Sequence, residues 1–246
     1  MLLQPFAAAV ALSRRFDWVT AAALAGVLLC FIVREPLLAL ARQRWVWRER
    51  KPESAEALRC LMWELPLLTL CGVVLWMKLP RGPLLALGCG AAVMTAVAVW
   101  MALKNRQRSV ALQIASTISL GAASLAAALA ATRELPRWSW ALWALVSLHG
   151  VSAVFVVHAR LAVRSGRDTA MMRRAWIAQF AQAPAAVLLG ILAGAWAPVV
   201  FSMAANSLEL WRLRNPRNLN EPLPRVGWRT LSAAVAHAAL CVVVLW

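Results

Sequence analysis

Three residues within the apolar stretch Trp140–Val163 and its end have the types and spacing to hold an anion. His149, Arg160 and Arg164 recur at intervals of eleven and four, which at about 3.6 residues per turn sets them on one stripe of a helix. Guanidinium groups bind phosphate or carboxylate through charge-assisted, often bidentate hydrogen bonds. The stripe runs into the loop Arg164-Ser165-Gly166-Arg167-Asp168, while His158 falls on the opposite face. No second histidine or acid lies at metal-ligand spacing from His149, so its ordinary role is a hydrogen-bonded core residue, and the sequence calls for no metal and no cofactor.

Other ionisable groups interrupt the apolar runs. Arg34 and Glu35 close one run ahead of Pro36; they read either as a pair snorkelling to the interface or as cavity-lining groups, with Glu35 and Arg42 on one face if the helix continues past the proline. Glu64 sits about a turn and a half inside another run, where it is expected to form an ion pair with Arg59 or Arg34, or to handle a proton. Ser202, Asn206 and Glu209 share a face, with Arg212 three residues beyond Glu209 at ion-pair spacing; inward polar groups of this kind also hold helices together. No nucleophile has an adjacent base, and no phosphate-cradling glycine loop is present, so the chain does not read as an enzyme of a known class.

The elements that must position these residues are membrane helices. A chain of 246 residues that is 62% hydrophobic, with mean hydropathy +0.68, is a polytopic membrane protein rather than a water-soluble domain. Its apolar runs fall near Leu2–Leu12, Trp18–Leu40, Leu58–Met77, Pro83–Leu103, Val110–Thr132, Trp140–Val163, Ala175–Leu192, Pro198–Trp211 and Thr230–Trp246. These predict an all-α transmembrane bundle of eight to nine helices forming one domain over residues 1–246, the first helix being too short to span and reading as truncated. The Ala-, Ser- and Gly-rich run Val110–Thr132 is expected at the centre of the bundle, and no pair of broken spans in matching halves, a mark of many carriers, is evident.

Basic residues are distributed unevenly between alternate loops. The segments around Arg42–Lys51, Lys104–Arg108, Arg164–Arg174 and Arg212–Arg229 hold most of them, whereas the alternate loops hold Arg14, Arg15, Lys78, Arg81, Arg133 and Arg137. Positive charge is retained on the cytoplasmic side, so the rich loops face inward and the C-terminus outward. Much of the net charge of +16 is therefore topology, placed where it meets anionic lipid, and nucleic acid is not expected as a partner. The 14 Trp, with no Tyr, read mainly as interface anchors, and the five scattered Cys as small core residues.

The chain resembles the YwiC-like family of bacterial integral membrane proteins. The resemblance lies in LLQPFAAAV, in REPLL with its following basic loop, in LKNRQRS, in WALWALVSLHGVSAVFVVHARL and in PLPRVGWRTL. It implies a multi-pass protein of the bacterial cytoplasmic membrane. A more distant similarity is to the UbiA-type intramembrane prenyltransferases, through LKNRQRS followed by a Gly/Ala-rich span and through the position of loops after the second and sixth spans. Members of that family hold Mg²⁺ with aspartates in those loops, whereas here the first offers Arg42, Arg44 and Arg48 and the second Arg160 and Arg164, with Asp168 as the nearby acid.

The charge reversal at both loops leads to the expectation of a UbiA-like bundle without metal-dependent prenyl transfer that binds an anionic amphiphile, a lipid phosphate or prenyl diphosphate, through Arg34, Arg42, Arg44, His149, Arg160 and Arg164. The alternative is a carrier using Glu64, Glu209 and His149, and a scaffold role without ligand is a third reading. Glu35 and Asn206 complete the intramembrane polar groups.

Overall fold

In the computed structural model, residues 3–47, 53–106, 109–166, 170–219 and 221–246 are described. Arg48, Arg50, Lys51, Arg108, Arg167 and Asp168, which the sequence reading drew on, lie outside them. The described residues are helical and contain no strand. The helices are α1 (Leu3–Ser13), α2 (Trp18–Arg42, continued by a π-helical turn over Gln43–Trp47), α3 (Glu53–Lys78) and α4 (Arg81–Leu103). They are followed by α5 (Val110–Gly121), α6 (Ala123–Thr132), α7 (Arg137–Ser165), α8 (Ala170–Ala181), α9 (Ala183–Ala193), α10 (Trp196–Arg212), α11 (Pro216–Leu219) and α12 (Leu223–Leu245).

Among the described residues, seven helical segments are long and apolar enough to cross a membrane, with α5–α6 and α8–α9 each counting as one. The chain is a multi-pass membrane protein. The first and eighth apolar runs form shorter helices: α1 has 11 residues, and α10 has 17 and extends about 25 Å at 1.5 Å per residue.

Two of these spans carry a local interruption of the helical ladder. At Ala122 the helix turns aside, and the freed carbonyls are satisfied by the Ser124 hydroxyl, which donates to Gly121 O (2.8 Å), and by Trp143 Nε1, which donates to Ile118 O (3.0 Å). At Gln182 the cause is local: Pro184 has no N–H to continue the ladder, and Gln182 Nε2 donates back to Ala178 O at 3.2 Å. By contrast Pro36 and Pro66 lie inside helices that continue through them.

The bundle is organised around α5–α6 and α7. Half of the span Val110–Thr132 is buried, against 6% for α4 and 11% for α3, whose apolar side chains face outward to lipid. Small residues permit the approach of α5 to α7, since a Cβ on Gly150 would lie 2.3 Å from Thr117 Cγ2 and one on Gly121 2.9 Å from Ser147 Oγ. The main core joins Phe6, Ala127, Leu142, Leu145, Val199 and Cys241 from α1, α6, α7, α10 and α12.

Contacts between helix ends sort the loops into two groups. At one end Arg133 Nη2 lies 2.6 Å from Asp17, the Arg14 guanidinium stacks over Trp246 at 3.7 Å, and the Lys78 ammonium lies over Trp18 at 5.7 Å. Asp17 also caps α2, accepting from Thr20 N at 2.8 Å; this hydrogen bond, together with the Arg133 charge, holds its carboxyl below the usual range. At the other end Arg214 lies over Trp176, His158 Nε2 meets Gln113 Oε1 at 3.0 Å, and Arg160 of α7 reaches Glu209 of α10. The connections that the sequence marks as basic therefore gather at this second end, opposite Trp246.

Candidate functional site

The basic end opens into a cavity of about 190 Å³ between α7, α10 and α12. His149, Val156 and Arg160 line it from α7, Asn206, Glu209 and Arg212 from α10, and Arg229 and Thr230 from α12. Each helix presents a polar stripe to the others because its remaining faces are apolar and committed to core or lipid.

An ion-pair network closes the mouth. Glu209 takes a bidentate contact from Arg229, with Nε to Oε1 at 2.6 Å and Nη2 to Oε2 at 2.9 Å, and a further bond from Arg212 Nη1 at 3.3 Å. Arg229 Nη1 also donates to both oxygens of Glu221 at 3.0 Å. That bond holds the Glu221 carboxyl below the usual range. Arg229 is thus fully engaged between two carboxylates.

Arg160 is not. Its side chain is 9% exposed, Nη2 lies 3.6 Å from Glu209 Oε2 without a hydrogen bond, and Nη1 makes only a long 3.5 Å contact to Asn218 O. A buried guanidinium nitrogen without a hydrogen-bond partner is costly. With three guanidiniums against two carboxylates, the network carries one excess positive charge.

Deeper in, the site becomes polar without charge. Ser202 Oγ lies 3.1 Å from His149 Nδ1, Asn206 Nδ2 lies 3.4 Å from the same nitrogen, and Asn206 Nδ2 also donates to Ser202 O at 2.9 Å. With the Asn206 amide placed so that its nitrogen faces Nδ1, Nδ1 is the accepting nitrogen, which sets the ring proton on Nε2. Behind it the His237 ring stacks on His149 with centroids 4.5 Å apart, and His237 Nε2 donates to Leu145 O at 3.2 Å.

The structure brings together His149, Arg160, Asn206 and Glu209 from the residues singled out in the sequence, and the expected Glu209–Arg212 pair is formed. Arg164 follows one turn after Arg160 without lining the cavity. Arg34, Glu35, Arg42 and Arg44 belong to α2 and its π-helical turn, and Glu64 to α3; neither helix lines the cavity. Arg34 lies 3.9 Å from Glu35, and Glu64 forms no ion pair among the described residues, so the expected partnership with Arg59 or Arg34 is not made. Three residues of the site escaped the sequence reading. Arg229 falls at the end of the basic Arg212–Arg229 segment, Glu221 belongs to no motif, and His237 stands alone in the last apolar run, four residues before Cys241.

Among the described residues no three His, Cys, Asp or Glu side chains come together as a metal-ligand set. The chain belongs to the YwiC-like protein family, which it matches over residues 1–131. That match ends near the end of α6, so the cavity residues lie in the part of the chain beyond it. No curated protein and no solved structure matches the chain.

Proposed function

We propose that this YwiC-like membrane protein binds an anionic amphiphile, with the headgroup at the basic end of the cavity between α7, α10 and α12, in the bacterial cytoplasmic membrane. The observation that carries this reading is Arg160, a buried arginine whose Nη2 has no hydrogen-bond partner and which lines an apolar-walled cavity beside an excess of positive charge. A lipid phosphate, or a prenyl diphosphate as the UbiA-like sequence patterns suggest, would supply the missing acceptor. Arg34, Arg42 and Arg44 then act at the membrane surface, by drawing anionic lipid to the same side.

Native mass spectrometry of the purified protein, comparing Arg160→Gln with a paired Arg42→Gln, Arg44→Gln variant, tests this. The reading expects a phosphate-bearing lipid to be retained by the wild type and the α2 variant and lost in Arg160→Gln. Equal retention in all three, or none in any, would count against it.

A carrier is the second reading, because Glu209 and His149 line one cavity and a second buried histidine stacks behind it. Proteoliposome flux that depends on His149 and Glu209 but not on Glu64 would favour it.

A further inference from the structure

We infer that the occupant is a single-chain amphiphile whose oxyanion lies at Arg160 and whose chain runs inward, past Val156 and Ala205, to end in an oxygen that accepts from His149 Nε2. This deepens the binding reading above and rests on it.

The two ends of the cavity each present a donor with a vacancy. At the mouth it is Arg160 Nη2. At the inner end it is His149 Nε2: Nδ1 is taken by Ser202 and Asn206, and among the described residues Nε2 has no hydrogen-bond partner. Eleven residues of α7 separate the two, about 16 Å of helix at 1.5 Å per residue. Between them the lining is mostly apolar, Ala153, Val156, Val157, Ala205, Leu208 and Ala233, with the Thr230 hydroxyl donating to Val226 O on its own helix.

Shape limits the occupant further. About 190 Å³ distributed over that length suits one slender chain. A compact hydrated anion would meet the guanidinium but leave the apolar walls unmatched. Val157 and Leu208 line the cavity and are 46% and 48% exposed, so the wall they form is thin and gives a chain a route in from the bilayer. The chemistry at Arg160 is shared by a carboxylate and a phosphate monoester.

The test is thermal unfolding of the full chain in nanodiscs of zwitterionic two-chain phospholipid, which avoids detergent as a competing single-chain amphiphile. The probes are decanoate, ω-hydroxydecanoate, decyl phosphate, ω-hydroxydecyl phosphate, inorganic phosphate and a two-chain phosphatidate. At a hundredfold excess over Kd the expected rise in midpoint is about 5–10 °C. It should be larger for the ω-hydroxyl probe than for its plain-chain counterpart, within the carboxylate pair or the phosphate pair according to which headgroup the site takes, and absent for inorganic phosphate.

Arg160→Gln should abolish these shifts, and His149→Phe should remove only the advantage of the ω-hydroxyl group. Ala205→Leu, which leaves every charge in place, should block the chain and carries the test alone if Arg160→Gln does not fold. An equal shift from inorganic phosphate, or a chain effect that Ala205→Leu leaves intact, would overturn the inference. Stabilisation by phosphatidate through Arg160 without any from the single-chain probes would overturn it while the amphiphile reading stood; no Arg160-dependent shift from any anion would end both.

Discussion

Glu209 is the carboxylate on which the mouth of the cavity depends, and Glu209→Ala measures how much. The substitution removes two short bonds from Arg229 and one from Arg212, and leaves Arg160, 3.6 Å away, with no counter-charge on α10. Hydrogen bonds to charged groups contribute about 1.5–3 kcal/mol each, and breaking a buried pair from one side costs about 3–5 kcal/mol. Two features lower the total: Arg229 keeps Glu221, and the Arg212 side chain, 36% exposed, belongs with surface pairs that contribute under about 1 kcal/mol. The expected loss is about 3 kcal/mol, or a fall in melting midpoint of roughly 6–12 °C for a chain of this size.

The assay is scanning calorimetry in nanodiscs with Arg212→Ala as the internal reference, for which the fall should be about 4 °C or less. Arg229→Ala should lie between the two, because it frees two carboxylates that are both partly exposed. A Glu209→Ala midpoint no lower than that of Arg212→Ala, or one above wild type, would refute the view that this network holds α7, α10 and α12 together.

Other outcomes follow from the same geometry. Gly150→Ala forces a Cβ to within 2.3 Å of Thr117 Cγ2 and should destabilise by about 1–3 kcal/mol, and Thr117→Ser, which removes that methyl group, should restore most of the loss in the double variant; calorimetry reads both. Asp17→Ala deletes the cap on Thr20 and the bond from Arg133, and should cost about 1 kcal/mol in the same assay. Asp17 and Glu221 are both held below their ordinary values of 3.8 and 4.5, so the unfolded chain binds more protons than the folded one in acid. Their contribution is present above those values and lost as pH falls through the lowered ones; the midpoint should therefore stay level from neutral pH to about 5 and drop below about 4. An Asp17→Asn, Glu221→Gln pair should flatten that drop.

Much of the fold is legible in the sequence because the bilayer imposes it. Apolar runs of about 20 residues have one structural outcome in lipid, and alternate basic loops set direction, so the Lys104–Arg106 turn, Arg164 and Arg212 all gather at one end of the bundle. The His149–Arg160 stripe and the Glu209–Arg212 pair are legible for a different reason, that helical spacing fixes them locally. Arg229, Glu221 and His237 were not, because their partners lie on other helices and no local pattern encodes which helix α12 meets. The break at Gln182 had a signal in Pro184, whereas that at Ala122 depends on Trp143 of α7 reaching Ile118 O. Arg34, Arg42 and Arg44 are grouped with Arg160 in the sequence by a shared side of the membrane, and α2 does not line the cavity that holds Arg160.

The most direct test of where the amphiphile binds is photo-crosslinking of the protein in native-composition nanodiscs, using a single-chain anionic lipid with a photoreactive group in mid-chain, followed by peptide mapping. The account predicts label on α7, α10 and α12 around Val156, Ala205 and Ala233, suppressed by an excess of unlabelled anionic amphiphile and lost in Arg160→Gln. Label confined to the lipid-facing α3 and α4, or label at the cavity that neither competitor nor Arg160→Gln reduces, would contradict it.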